Sequence, residues 1–346
     1  MTKTRRRLLK EAALLGSTAG LAVTGFSDPV HATSTPRASV ALTGPYLDLT
    51  TGEGNALAMT RLVGSLDPRA IKYGWYTGRL MSIVPGGAGR DLIGVIGLGA
   101  ARTLPRDAQG RWQVLRRECG FFVDLASGEV LDRWRNPLTD EDVEVVHIAN
   151  DPVNQTISPV RSAERLYEQV VTRKAEEPFV LPWQQAGGRA FVEFHSHLWA
   201  KNPLDPAVWV RESAGPRVQI SDMMTYVCDL DALQDPARPS VPYSGNWVHV
   251  RPWQPWMLMG PAPGHLMYHC FTGSATRLEE VPSHIAKIVQ ARLPAFLQPP
   301  DSPGKSEGSL NRYIRTRKPA PPRASVSPES RLPPISNDGS PTEPPK

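Results

Sequence analysis

Three cysteines in 346 residues, Cys119, Cys228 and Cys270, are too few for a disulfide-stapled scaffold. They read either as small buried apolar groups or as one bridge and a free thiol. No uninterrupted run of about 20 apolar residues, the length a membrane span needs, occurs. The nucleophile elbow, phosphate loop, dinucleotide fingerprint, zincin helix and paired-cysteine metal motifs are all missing. Those absences weigh against the common hydrolase, kinase and nicotinamide-enzyme classes. Ser162 and Ser244 have no context that marks a nucleophile. Net charge is also scarce where a fold would use it. The formal total is +5, but residues 1–32 and 299–346 each hold a net +3, which leaves −1 over residues 33–298. A nearly neutral body offers no field for a polyanion, so nucleic acid is excluded as a partner.

What is present starts at the N-terminus. Thr4-Arg5-Arg6-Arg7-Leu8-Leu9-Lys10 precedes a mildly apolar stretch (12–26) and the small-x-small triplet Val30-His31-Ala32. This order predicts a secretory signal of the twin-arginine kind over 1–32, read by the twin-arginine translocon and delivering a folded protein to the periplasm or outside the cell. Cleavage after Ala32 leaves a mature start at Thr33, and no transmembrane segment is expected in the mature chain. Residues 33–45 read as a polar linker. From 299 onward, Pro-Pro pairs at 299–300, 321–322, 333–334 and 344–345 are separated by Ser, Gly and charge. Such a segment buries too little apolar surface to offset its ordering entropy, so 299–346 is expected to be a disordered tail.

Between them, residues 46–298 read as one β-rich domain. Residues 75–84 are aromatic and β-branched and end at Pro85-Gly86-Gly87; 92–98 is an apolar, glycine-dotted strand. Residues 112–124 and 129–134 flank Ala126-Ser127-Gly128 as a hairpin. Strands are also expected at 143–147, 189–199, 219–230, 246–250 and 264–271. Helices are expected over 53–66, with Leu57, Met59, Leu62, Val63 and Leu66 on one side, and over 280–293. Short strands with turn signals and two flanking helices predict a mainly β fold, an antiparallel β-barrel or strongly curved sheet.

Several blocks in order carry a resemblance: Ser127-Gly128-Glu129-Val130-Leu131-Asp132-Arg133-Trp134-Arg135-Asn136-Pro137, then Val143 to Asn154, Asn202-Pro203-Leu204-Asp205-Pro206, Arg211-Glu212-Ser213-Ala214-Gly215-Pro216, and Val241 to Gly260. Over about 47–298 the chain resembles the bacterial and fungal family known as domain of unknown function 1838. The resemblance implies one domain rather than two and a kinship with exported proteins. It implies no activity.

Four constellations could carry chemistry. In Phe191 to Trp199 the alternation puts Glu193, His195, His197 and Trp199 on one face. Two imidazoles at i and i+2 can converge on one metal ion, with His147, His249 or His269 as third ligand; otherwise they form a polar outer face. His265, Met267 and His269 share a strand face with copper-like softness, or simply pack. His147 and Asp151 could serve as a base and its orienting partner, with Arg135 pairing Asp151 or a substrate carboxylate. Asn150-Asp151-Pro152, with Asn154 beyond, reads equally as turn chemistry. Trp134, Trp253, Trp256, Met257 and Met259 form either an apolar ligand wall or a core plug. The function expected is binding of a small, partly apolar molecule in a barrel cavity, with acid–base chemistry by His147, Asp151 and Arg135. The alternatives are a metal-dependent enzyme centred on His195 and His197, and a non-catalytic envelope protein.

Overall fold

The computed structural model describes residues 43–323, apart from 45, 167 and 168. The expected signal (1–32), most of the linker and the last part of the expected tail lie outside the described residues. The fold is mainly β, as the strand signals predict, and its centre is a nine-stranded antiparallel sheet curled into a half-barrel. In chain order the elements are α1 (Gly52–Val63), β1 (Lys72–Ile83), β2 (Arg90–Thr103), β3 (Trp112–Val123), β4 (Arg133–Asn136), β5 (Glu141–Glu144), β6 (Ile148–Ile157), β7 (Val160–Leu166) and β8 (Gln169–Pro178). They continue as β9 (Gln184–Ala186), β10 (Arg189–Lys201), β11 (Arg217–Asp229), α2 (Leu230–Gln234), β12 (Tyr243–Arg251), β13 (His265–Ala275), α3 (Ser283–Arg292) and α4 (Ser309–Thr316). The large sheet runs β6-β3-β2-β1-β13-β12-β11-β10-β9, while β4–β5 and β7–β8 are separate ribbons. The sheet is open between β6 and β9, so the curved-sheet form of the expectation holds rather than a closed barrel.

Cross-strand pairing sorts every side chain onto one of two faces. On the convex face, α3 and the following turn set Ile285, Val289, Phe296 and Leu297 against Ile96, Leu98 and Phe121, covering β1–β3. The concave face is filled at its two ends. At one end α1 packs Met59, Leu62 and Val63 with Ala101, Val114, Ala190, Val192 and Cys228. At the other, Trp253, Trp256 and Met257 pack on Leu80, Val95, Phe122, Leu266 and Cys270.

Helix α1 has apolar spacing on one side, yet ten of its twelve residues are buried, because it lies inside the curl rather than on the surface. Its polar residues are satisfied internally. Arg61 Nε and its two terminal nitrogens donate to the carbonyls of Arg238, Leu233, Ala232 and Asp235, 2.5–3.2 Å away. Asn55 donates to the Leu49 and Thr51 carbonyls, and its Oδ1 accepts from Leu181 N and Trp183 Nε1.

Three expectations need correction. The hairpin of 112–134 stops after one bridge, Val123–Val130, and β4 pairs β5 instead. Asp124 Oδ1 accepts from Ala126 N and Ser127 N, which closes a tight turn, and the chain then leaves the sheet so that Trp134 can pack on Trp256. Residues 150–152 are not a free turn but part of edge strand β6, next to the register shift at Arg116/Glu118. The domain also does not end at 298. Residues 304–309 run along the open edge of β6, with Asp151 N donating to Glu307 O and Glu307 N to Pro152 O. Asn154 Nδ2 donates to Gly304 O and Ser309 N to Asn150 Oδ1. Beyond them α4 buries Tyr313 against Trp209, and Arg317 binds Glu144 through both terminal nitrogens. Edge strands expose unpaired backbone groups, and pairing them outweighs the proline-rich composition of 299–323.

The curl leans on small residues below Tyr76. A methyl on Gly97 would sit 2.0 Å from Tyr76 Cζ, and one on Gly120 would sit 2.2 Å from its hydroxyl oxygen. Gly120→Ala is therefore expected to cost about 1–3 kcal/mol by overpacking. Tyr76→Phe alone should be neutral or stabilising, since the buried hydroxyl has no hydrogen-bond partner among the described residues. In the Tyr76→Phe background the Gly120→Ala cost should shrink in urea denaturation; an unchanged cost would contradict this packing.

Candidate functional site

Between the two apolar plugs the concave face turns polar. Pairing places Tyr76 (β1), Glu118 (β3), Asp222 (β11), Trp247 and His249 (β12) and Tyr268 (β13) on this one face. Arg116, Glu118, Asp222, Met224, Tyr226, Tyr243 and Trp247 are only half-buried, unlike the sealed residues of the plugs. They line a trough.

The curl is what brings these residues together. On a flat sheet, β3 and β11 are five strand spacings apart, roughly 24 Å. Yet the charge of Glu118 acts on Asp222, and that of Arg116 acts on Tyr226 and Tyr243. Tyr76 and Trp247, two strands apart, touch edge-on with ring centres 5.2 Å apart.

Asp222 is the chemical centre. Trp247 Nε1 donates to its Oδ1, and His249 Nδ1 lies 3.4 Å from the same oxygen. Surrounding protein pushes the Asp222 pKa from 3.8 up to about 6; the Trp247 hydrogen bond opposes this and the Glu118 charge adds to it. Its side chain nonetheless keeps 34% of its surface open, against 3% for His249, so the carboxylate faces the trough rather than the core. Burial, helped by the Arg251 charge, holds the His249 pKa well below 6.5, so its imidazole is neutral at pH 7. His249 lies between Trp247, tilted against it, and Tyr268, met edge-on, with centroids 5.4 and 5.5 Å away, and Gln254 Nε2 donates to the Tyr268 hydroxyl. A carboxyl group titrating near neutrality beside a neutral imidazole can take and return a proton. Glu118 is held on the opposite wall by Asn150 Nδ2 at 3.1 Å, and Asn150 in turn accepts from Ser309.

The residues singled out in the sequence fall elsewhere. His147 accepts a hydrogen bond from Phe122 N at Nδ1, and its ring lies against Phe121 and Phe122. Burial depresses its pKa from 6.5 to about 4. Asp151 is bound to Arg117, with Nε 2.8 Å from Oδ1, and Arg135 is exposed and paired with Asp140 and Asp142. The three do not form one centre. Trp134, Trp253, Trp256, Met257 and Met259 do come together, as packing at the plug: Trp253, Trp256 and Met257 are sealed, and Asn136 Nδ2 donates to the Met257 carbonyl and the Met259 sulfur.

His195 and His197 share the convex face, with ring centres 6.1 Å apart, and Glu193 Oε2 lies 3.5 Å from His195 Nε2. Two of their three expected third ligands, His249 and His269, are out of reach. His249 points to the other face of the sheet, and His269 is three strands away along the row His195–Met223–Val248–His269, roughly 14 Å. Among the described residues, no group of three or more His, Cys, Asp or Glu could hold a metal ion. All three cysteines are free and buried.

Asp222, Trp247, Tyr76 and Arg251 were not singled out, and His249 was weighed only as a metal ligand. A usable signal existed: Asp222 is the one acid alternating with Ile220, Met224, Tyr226 and Cys228 on a strand face.

These features define a curled antiparallel sheet with a half-open polar belt. Residues 69–315 match the family model described as Protein of unknown function (DUF1838), over two thirds of the chain. The chain belongs to this family. Its match ends inside α4, consistent with the strap over β6 being part of the domain. A search of curated proteins gave no match. No helix among the described residues is long and apolar enough to cross a membrane.

The raised Asp222 pKa has a sign that can be tested. The folded protein holds this proton between pH 4 and 6, where the unfolded chain has released it, so this group lowers stability as pH rises through that window. Asp222→Asn should stabilise the fold above about pH 6, by about 1 kcal/mol after screening at the open third of the side chain, and so raise the melting temperature there. It should have no such effect near pH 4. A gain independent of pH would contradict the shifted carboxyl.

Proposed function

We propose that this protein binds a small, partly apolar molecule in the concave trough and moves a proton on it with Asp222, assisted by His249. The observation that carries this reading is a carboxylate deep among protein atoms that still opens to the trough and titrates near neutrality. A purely structural charge at that depth would be sealed and saturated with hydrogen bonds, as Arg61 is in the core. Trp247, Tyr226, Tyr243 and Met224 supply flat apolar walls, and the two plugs limit the ligand to the belt between them. The arginine head and apolar stretch of residues 1–32 support delivery through the twin-arginine translocon to the periplasm or beyond.

Trp247 makes the reading testable. Its emission should be quenched by at least one member of a chemically diverse panel of small molecules, and Trp247→Phe should abolish that response. For a molecule so identified, exchange of a carbon-bound hydrogen with solvent deuterium should slow by about 10²-fold or more in Asp222→Asn. A panel with no response, or a response that survives Trp247→Phe, would overturn the trough as the site.

A further inference from the structure

Among the described residues, Arg61 and Lys72 are cations sealed in the core, and Arg251 is a half-buried cation on the concave face. Arg61 is saturated by four backbone carbonyls, and Lys72 donates to Ser240 Oγ and the Val241 carbonyl at 3.0 and 2.8 Å. Arg251 has nothing equivalent. Among the described residues no acceptor hydrogen-bonds to it and no carboxylate lies within ion-pair distance; its Nε is sealed from solvent and unpartnered. The protein around it depresses its pKa, and its charge acts on His249 and Tyr268.

Arg251 shares the concave face with His249, two residues along β12, so the two side chains leave the strand ~6.6 Å apart. Its partner on β13 is Leu266, and Asp222 is engaged by Trp247 and His249 rather than by the guanidinium. The side chain as a whole is half-buried rather than sealed, on the same face as the trough residues. An unpaired cation kept out of bulk water is costly unless an anion completes it.

Resting on the trough as the binding site, we infer that its ligand is a small monocarboxylate: Arg251 takes the carboxylate, and the apolar body lies along Trp247 toward Asp222. A planar guanidinium fork matches a carboxylate's two oxygens. A monoanion fits better than a phosphate dianion, because Asp222 and Glu118 already bring negative charge to the same belt, and the other cation there, Arg116, lies toward Tyr226 and Tyr243 and donates to the Val63 carbonyl. Arg251 thus fixes which end of the ligand faces the proton-transfer pair.

The test uses the whole protein, Trp247 emission, and matched probes: phenylalkanoates of increasing chain length, their primary amides, and phenyl phosphate. The carboxylates should bind at least about tenfold more tightly than the amides, and also more tightly than phenyl phosphate, a difference of about 1.4 kcal/mol. Arg251→Gln should bring the carboxylates down to amide affinity, and Arg251→Lys should restore part of the gap. The melting temperature of Arg251→Gln should be unchanged or higher, because the variant removes a cation without a protein partner. Equal binding of acids and amides, with no effect of Arg251→Gln, would overturn this inference and leave the trough standing. Tighter binding of phenyl phosphate, or a marked loss of melting temperature in Arg251→Gln, would also overturn it. No response to any probe would count against both the inference and the trough.

Discussion

The working face of this protein depends on the absence of side chains at three concave positions. Tyr76 can lie across β2 and β3 only because Gly97 and Gly120 present no Cβ to its ring. On the other wall, a Cβ at Gly245 would fall 1.8 Å from the Thr225 carbonyl oxygen, so β11 and β12 approach there more closely than a side chain allows. These contacts let the sheet curl until β3 faces β11. Without that curl, Glu118 and Asp222 would sit on a flat surface, each separately hydrated, and neither would feel the other. Helix α1 and the Trp253–Met257 turn then close the two ends, which leaves polar residues exposed only in the middle.

Burying ionisable groups separates structure from function in this fold. Arg61 and Lys72 are structural because every burial cost is met locally: carbonyls around the α2 segment hold the guanidinium, and a hydroxyl and a carbonyl hold the ammonium, whose pKa burial brings down to about 7. Asp222 and Arg251 have no such completion, and both belong to the concave belt. The fold can carry them because the plugs and α3 supply three separate apolar clusters. One hydrogen bond from Trp247 then orients the carboxylate without neutralising it.

Much of the framework was legible in the sequence. Alternation and turn residues located the seven inner strands of the large sheet but neither edge strand, β6 or β9, and apolar spacing located α1 and α3, because these patterns depend on local geometry. The end of the domain was misplaced because composition describes how well 299–323 could pack alone, while the unpaired backbone edge of β6 recruits it. His195 and His197 were correctly put on one face, but which face looks outward depends on the direction of curl, and that is set by glycines in distant strands. Asp222 stood out less than the histidines for the same reason. Its significance lies in Glu118, Trp247 and His249, which come near it only after strands far apart in sequence fold over. His147 and Asp151 looked like a pair by proximity in the chain, but Phe122 claims one and Arg117 the other.

The most direct measurement is the titration of the Asp222 carboxyl carbon by carbon-13 NMR in the intact protein, assigned by its loss in Asp222→Asn. A midpoint near pH 6 is predicted, because the carboxylate is surrounded by protein, faces Glu118 and is only partly compensated by Trp247. A midpoint close to the ordinary carboxylate value of 3.8 would show a well-hydrated surface acid, and would contradict the trough as a site of proton transfer.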